Sequence, residues 1–146
     1  MRNDARSAGR ASILWGAIGA LSSLSLSSQT PARPPQRILG VYGTPTAGHD
    51  SVRITENAAG RIGVNLKFYY SNGHTCQLNK DGEWRDDHVA IVADGLDTNR
   101  PCRLNLVFEN GFVRLKDEGF QCAPVYCGTR GKLDNVRLPK AGPNRK

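Results

Sequence analysis

Catalytic chemistry is what this sequence is short of. It has three histidines, His49, His74 and His88, and a single methionine. None of the histidines sits in a metal-binding or catalytic motif. No Ser/His/Asp set, phosphate-binding glycine loop or dinucleotide fingerprint occurs. The carboxylate pairs Asp86/Asp87 and Asp94/Asp97 are close enough for acid–base work, but they lie in stretches whose composition reads as turns. His74 and Cys76 would share one face of a strand, as a thiolate–imidazolium pair requires, yet Cys76 is expected in a disulfide. Asp94–Asn99 is rich in oxygen side chains but lacks the ligand order and distal Glu of a calcium loop. These residues give no reason to expect an enzyme, a cofactor or a resident metal. A minor enzyme would need a cleft that places His74 or His88 beside a carboxylate.

Long apolar runs are equally scarce. The clearest, Ile13-Leu-Trp-Gly-Ala-Ile-Gly-Ala-Leu21, follows Arg2, Arg6 and Arg10 and leads through a Ser/Leu run to the small-x-small site Ser25-Leu-Ser27. That is the layout of a secretory signal peptide. It is too short and too rich in serine for a span, which needs roughly 20 apolar residues. A second cleavage site is Thr30-Pro-Ala32. No cysteine lies near either, so a lipoprotein anchor is not expected. The expected organisation is a signal peptide over 1–27, a Pro-rich linker over 28–37, a β domain over 38–140 and a basic tail over 141–146. The protein is expected to be periplasmic or secreted, with no stable membrane span after cleavage.

Removing residues 1–27 leaves 17 basic and 12 acidic residues. Such a surface suits an acidic partner or an anionic envelope polymer. The cations are spread along the chain and no basic run is interleaved with aromatics, so nucleic acid is not an expected partner.

What the chain does have is period two. Ile62, Val64, Leu66 and Phe68 alternate with Gly63, Asn65 and Lys67, as in a half-buried antiparallel strand. Ser51–Thr55, Cys102–Phe108 and Phe112–Lys116 alternate similarly, and His88–Ala93 is compactly apolar. Asn72-Gly73 and Asn110-Gly111 are hairpin signals. No sustained helical period appears beyond residue 27. Asn79–Gly82 reads as a turn, Glu83–Asp87 as mixed, and Asp94–Asn99 as a loop. The expected fold is all-β, a small antiparallel barrel or sandwich stapled by two disulfides.

All four cysteines, Cys76, Cys102, Cys122 and Cys127, follow the export signal, and an even count in an oxidising compartment reads as two disulfides. Three pairings are possible. Cys76–Cys102 with Cys122–Cys127 is favoured, because the first two share apolar faces with leucines and the last two are close in sequence. Zinc is disfavoured, since paired C-x-x-C knuckles are missing. Between Cys122 and Gly131 lies the stretch of most interest. The turn Gly128-Thr129-Arg130-Gly131 has two permissive glycines and one cation. Arg130 is either a contact residue or a structural partner for an acid such as Asp117 or Asp134. Tyr69, Tyr70 and Trp84 are either contact aromatics or core.

The strand Cys102-Arg-Leu-Asn-Leu-Val-Phe108, the later Cys122 and the turn Cys127-Gly-Thr-Arg-Gly131 resemble those of small exported bacterial β proteins of the periplasmic lysozyme-inhibitor and toxin-immunity type. The resemblance implies a non-enzymatic binding protein whose partner is a cell-wall hydrolase or toxin with an acidic cleft, such as a lysozyme-like muramidase. The partner-binding residues would be Gly128, Thr129, Arg130, Gly131 and Tyr70. The other reading is an envelope structural or small-ligand-binding β-barrel without a protein target.

Overall fold

A computed structural model describes residues 33–142 apart from 45, 47, 59, 72 and 129. The signal peptide and the first part of the linker lie outside the described residues, as do Thr129 and residues 143–146. Eight strands follow in chain order: β1 (Gly40–Gly43), β2 (Ser51–Glu56), β3 (Ile62–Tyr69), β4 (Thr75–Arg85), β5 (His88–Asp97), β6 (Arg100–Glu109), β7 (Phe112–Asp117) and β8 (Arg137–Pro139). Each pairs antiparallel with the next in one up-and-down sheet. A bridge between Tyr42 and Lys140, with the Ala141 N–H donating to the Val41 carbonyl, brings the two ends together. The result is a nearly closed barrel, which leaves little exposed strand edge.

Period two decides which side chains fill it. Val52 and Ile54 of β2, Ile62, Val64, Leu66 and Phe68 of β3, Val89 and Ile91 of β5, Leu104 and Leu106 of β6, and Val113 and Leu115 of β7 all point inward and are buried. Asn110 and Gly111 both take positive φ, 43° and 81°, in the β6–β7 hairpin turn, as the Asn-Gly signal requires.

Three expectations are corrected. Asn79–Gly82 is not a turn, because β4 runs through it and pairs with β3 as far as Gly82. Lys80 hid this by occupying an inward position among Cys76, Leu78 and Gly82. Its ammonium escapes to Asp94 on the outer face of β5, 3.4 Å away. It does so where β4 and β5 are not hydrogen-bonded, their pairing being confined to Glu83–Arg85 and His88–Ala90. The turn sits instead at Asp86-Asp87, where Asp86 takes φ 45°. Likewise, the expected 94–99 loop is strand through Asp97 and turns only after it. The linker, third, is not free throughout. Pro34 is buried, Arg33 pairs with Glu56 at 3.0 Å, and a 3-10 turn over Gln36–Ile38 buries Ile38.

Tyr42 ties that entering segment to the barrel by donating its hydroxyl to the Ile38 carbonyl at 3.0 Å. Burial pushes the phenol up to about 12 from its ordinary 10.0. The folded state therefore favours the neutral form. Its contribution is complete below pH 10 and is lost as pH rises towards 12. An alkaline titration followed by circular dichroism is expected to show stability falling over that window. Tyr42→Phe should make the fall shallower while costing about 1 kcal/mol at neutral pH for the lost hydrogen bond.

Candidate functional site

β7 ends at Asp117, an inward position at one end of the barrel. The chain then makes a three-residue turn, Glu118–Phe120, and a one-turn helix, α1 (Ala123–Tyr126), before returning through Leu133 to β8. A helix this short does not form by itself. Tertiary bonds hold it. Asp117 is 4% exposed, and its two carboxylate oxygens accept the Cys122 and Ala123 N–H groups at 3.0 and 2.9 Å. Asp134 in turn accepts the Asp117 N–H at 3.1 Å.

The disulfides complete the arrangement, and they correct the favoured pairing. Cys76 bonds Cys127 and Cys102 bonds Cys122. Cys76 and Cys102 do both point inward, but β5 lies between their strands. Two strand spacings alone would put them roughly 9–10 Å apart, and the parting of β4 from β5 adds to that, so a disulfide cannot reach. Cys122 and Cys127 flank a helical turn, where residues five apart point about 140° away from each other. Each therefore bonds outward, to β4 and to β6, and α1 packs against both β4 and β5 where their pairing has ceased.

The Gly128–Gly131 turn is set by this clasp. Gly128 has φ 70°, and the Gly131 N–H donates to its carbonyl. A Cβ on Gly131 would lie 2.2 Å from the Cys127 Cβ and 3.2 Å from the Cys76 sulfur, so no larger residue fits beside that disulfide. Tyr70, expected as a contact, braces the turn from behind. Its hydroxyl donates to the Lys132 carbonyl and accepts the Lys132 N–H. Burial raises the Tyr70 pKa, and the backbone bond to Lys132 opposes the rise. Thr129 lies outside the described residues. Arg130 is exposed and makes no hydrogen bond or ion pair with any described residue. Pairing with Asp117 or Asp134 does not occur, since both carboxylates serve the backbone or Asn135. Trp84 is half-buried and packs against the core, its ring 6.1 Å from that of Phe108.

Phe120 was not singled out in the sequence. It is 66% exposed and has φ 55°, a left-handed conformation that costs a bulky residue about 1–2 kcal/mol. Its one signal is a large apolar side chain inside an otherwise polar turn. It rims a depression of about 450 Å³ with Ala123, Pro124, Leu133 and the glycines of the Arg130 turn. A second depression, about 780 Å³, lies at the far end of the strands beside Tyr42, Phe108 and Phe112. Apart from the exposed Arg37, its rings and cations are engaged with neighbouring groups. Tyr42 stacks near Phe108, Arg137 covers Phe112 at 3.8 Å, and the Lys140 ammonium donates to the Arg37 carbonyl.

The other sequence candidates are dispersed. His88 meets Asp87 at 2.9 Å on the open β4–β5 turn, and His49 is exposed in the β1–β2 loop. That contact with His88 holds the Asp87 carboxyl below its ordinary value. Asp97 is lowered first by the Asn99 N–H and then by Arg100. Asp94 faces Lys80. The described residues hold no group of three or more potential metal ligands, and no helix among them is long and apolar enough to cross a membrane. The two disulfides fit an oxidising, extracytoplasmic setting. Comparison of the chain with family models, curated proteins and solved structures finds no match.

Two outcomes check the clasp. Peptide mapping under non-reducing conditions is expected to recover Cys76 linked to Cys127 and Cys102 to Cys122. Asp117→Ala, which strands one buried and one part-buried N–H group, should cost about 2–3 kcal/mol in chemical denaturation, and Asp117→Asn less, because one acceptor oxygen remains.

Proposed function

We propose that the protein is an exported, non-enzymatic binding module of the periplasm that inhibits a cell-wall hydrolase, either as a lysozyme-type inhibitor or as the immunity partner of a hydrolase toxin. The observation that carries this reading is Arg130, an exposed cation without a partner among the described residues, on a turn fixed from below by Cys76–Cys127 and Tyr70. Hydrolases of glycosidic bonds work with two carboxylates in a cleft. A guanidinium can clamp one of them through two parallel hydrogen bonds. A turn already held in shape gives up little conformational freedom on docking, which leaves more of the contact energy as affinity. The packed interior, filled by Phe68, Leu66, Leu104 and Leu106, favours surface recognition over a small ligand held inside the barrel.

The direct test is turnover of peptidoglycan by lysozyme-like muramidases and amidases with the purified protein added. Saturable inhibition of at least one enzyme is expected. Arg130→Ala should weaken it by about tenfold to a hundredfold, the worth of a charged hydrogen-bonded pair, with an unchanged melting curve. Full activity of every enzyme at high inhibitor concentration would defeat the reading.

A further inference from the structure

We propose that Phe120 and the groove beside it form the apolar half of the docking surface and receive an apolar side chain that a protein partner carries next to a carboxylate. The proposal rests on the docking role given above to the Arg130 turn, though not on the partner being a hydrolase.

Two features of Phe120 run against the fold's own interest. Its ring is two-thirds exposed and its backbone is left-handed. Glycine already precedes it, with Gly119 at φ 67°. A second glycine or an asparagine at 120 would meet the backbone requirement without strain and without exposing an aromatic ring. The turn is kept in this state by the bonds around it. Asp117 holds its start, Cys102–Cys122 its end, and the Gln121 amide donates to the Gly119 carbonyl at 2.6 Å. Strain maintained by such over-determination is a mark of functional positions, and rigid aromatic side chains beside a pocket are the usual anchors of protein interfaces.

The groove supplies the pocket. Ala123, Pro124, Gly128 and Gly131 line it together with Phe120, over the fully buried Leu133. At about 450 Å³ it accommodates a side chain or two rather than a second domain. Charge selects the occupant. Arg130 and Lys132 stand exposed beside the groove with no side-chain partner among the described residues. The carboxylate nearby, Asp134, already accepts the Asp117 N–H and the Asn135 amide. The surface therefore offers cations to spare next to an apolar slot. A leucine-sized side chain flanked by Asp or Glu meets both.

The test is an amide NMR titration of the folded protein with two peptides, Ac-Gly-Asp-Leu-Glu-Gly-NH2 and its charge-reversed counterpart Ac-Gly-Lys-Leu-Arg-Gly-NH2. The acidic peptide is expected to shift Phe120, Ala123, Leu133 and the Gly128–Gly131 turn, and the basic one to leave them unmoved. Phe120→Gly should weaken the acidic peptide at least tenfold while its melting midpoint stays level or rises, which a purely structural Phe120 would not allow. Equal response to both peptides, shifts centred on the Tyr42 end of the barrel, or unaltered binding by Phe120→Gly would overturn the proposal. So would a concentration-dependent dimer in sedimentation that Phe120→Gly abolishes, since the seat would then belong to a second copy. A groove that binds the acidic peptide in a protein that leaves every muramidase active would sink the hydrolase reading alone. Inhibition that depends on Arg130 but ignores Phe120→Gly would sink this one alone.

Discussion

Two disulfides and one buried carboxylate hold Cys122–Cys127 across the end of the barrel, and the geometry of the surface there follows from that clasp. The bridges reach β4 and β6, the strands on either side of β5. Their sequence separations are 51 and 20 residues, which in the chain-entropy account correspond to about 4 and 3 kcal/mol. Against a net stability of about 5–15 kcal/mol for a domain, these are large terms. Together the two bridges hold α1 over the stretch of β4 and β5 that has no pairing across it. Helix α1 therefore serves the fold as a plug between two parting strands, and it exists as a helix only because it is held there.

The same clasp explains why an irregular segment can be a precise one. Loops without secondary structure usually surrender rigidity. Here the Cys127 end is fixed to β4, the Lys132 backbone is fixed to Tyr70 in both directions, and Gly131 packs against the Cys76 sulfur. The described residues flanking Arg130 are thus tied to the barrel on both sides. The chain spends its structural polar groups, Asp117, Asp134 and Tyr70, on its own backbone and leaves Arg130 and Lys132 facing outward.

The sequence conveyed the sheet far better than the clasp. Alternation at Ile62–Phe68 and Cys102–Phe108 is local, because strand burial writes period two directly into the chain, and the Asn110-Gly111 turn carries its own backbone signature. Lys80 and Gly82 broke that alternation in β4 for a reason visible only in three dimensions, the parting of β4 from β5. The disulfides failed for a related reason. The inward parity of Cys76 and Cys102 was readable, and so was the His88–Ala93 strand between them. What is not local is the helical turn at Ala123–Tyr126, which turns Cys122 and Cys127 away from each other and towards β6 and β4. For Arg130, sequence offered both a contact and a structural role, and what separates them is that Asp117 and Asp134 are already occupied by backbone donors and Asn135.

The two ends of the barrel differ. Both carry aromatic rings and cations beside a depression. At the Tyr42 end most groups answer one another, with ring against ring, guanidinium over ring and ammonium on carbonyl, and among the described residues the Arg37 guanidinium alone of its lining cations is left over. At the α1 end Phe120 is exposed and strained while the nearby cations have no side-chain partners among the described residues. Composition alone does not distinguish the two ends, because the same residue types occur at both. The distinction lies in whether the groups satisfy one another. Sequences that specify a fold tend to obey local rules everywhere except where function requires otherwise. Phe120 breaks two such rules within one residue, at the place where two disulfides and Asp117 hold the backbone firmly enough to sustain the strain.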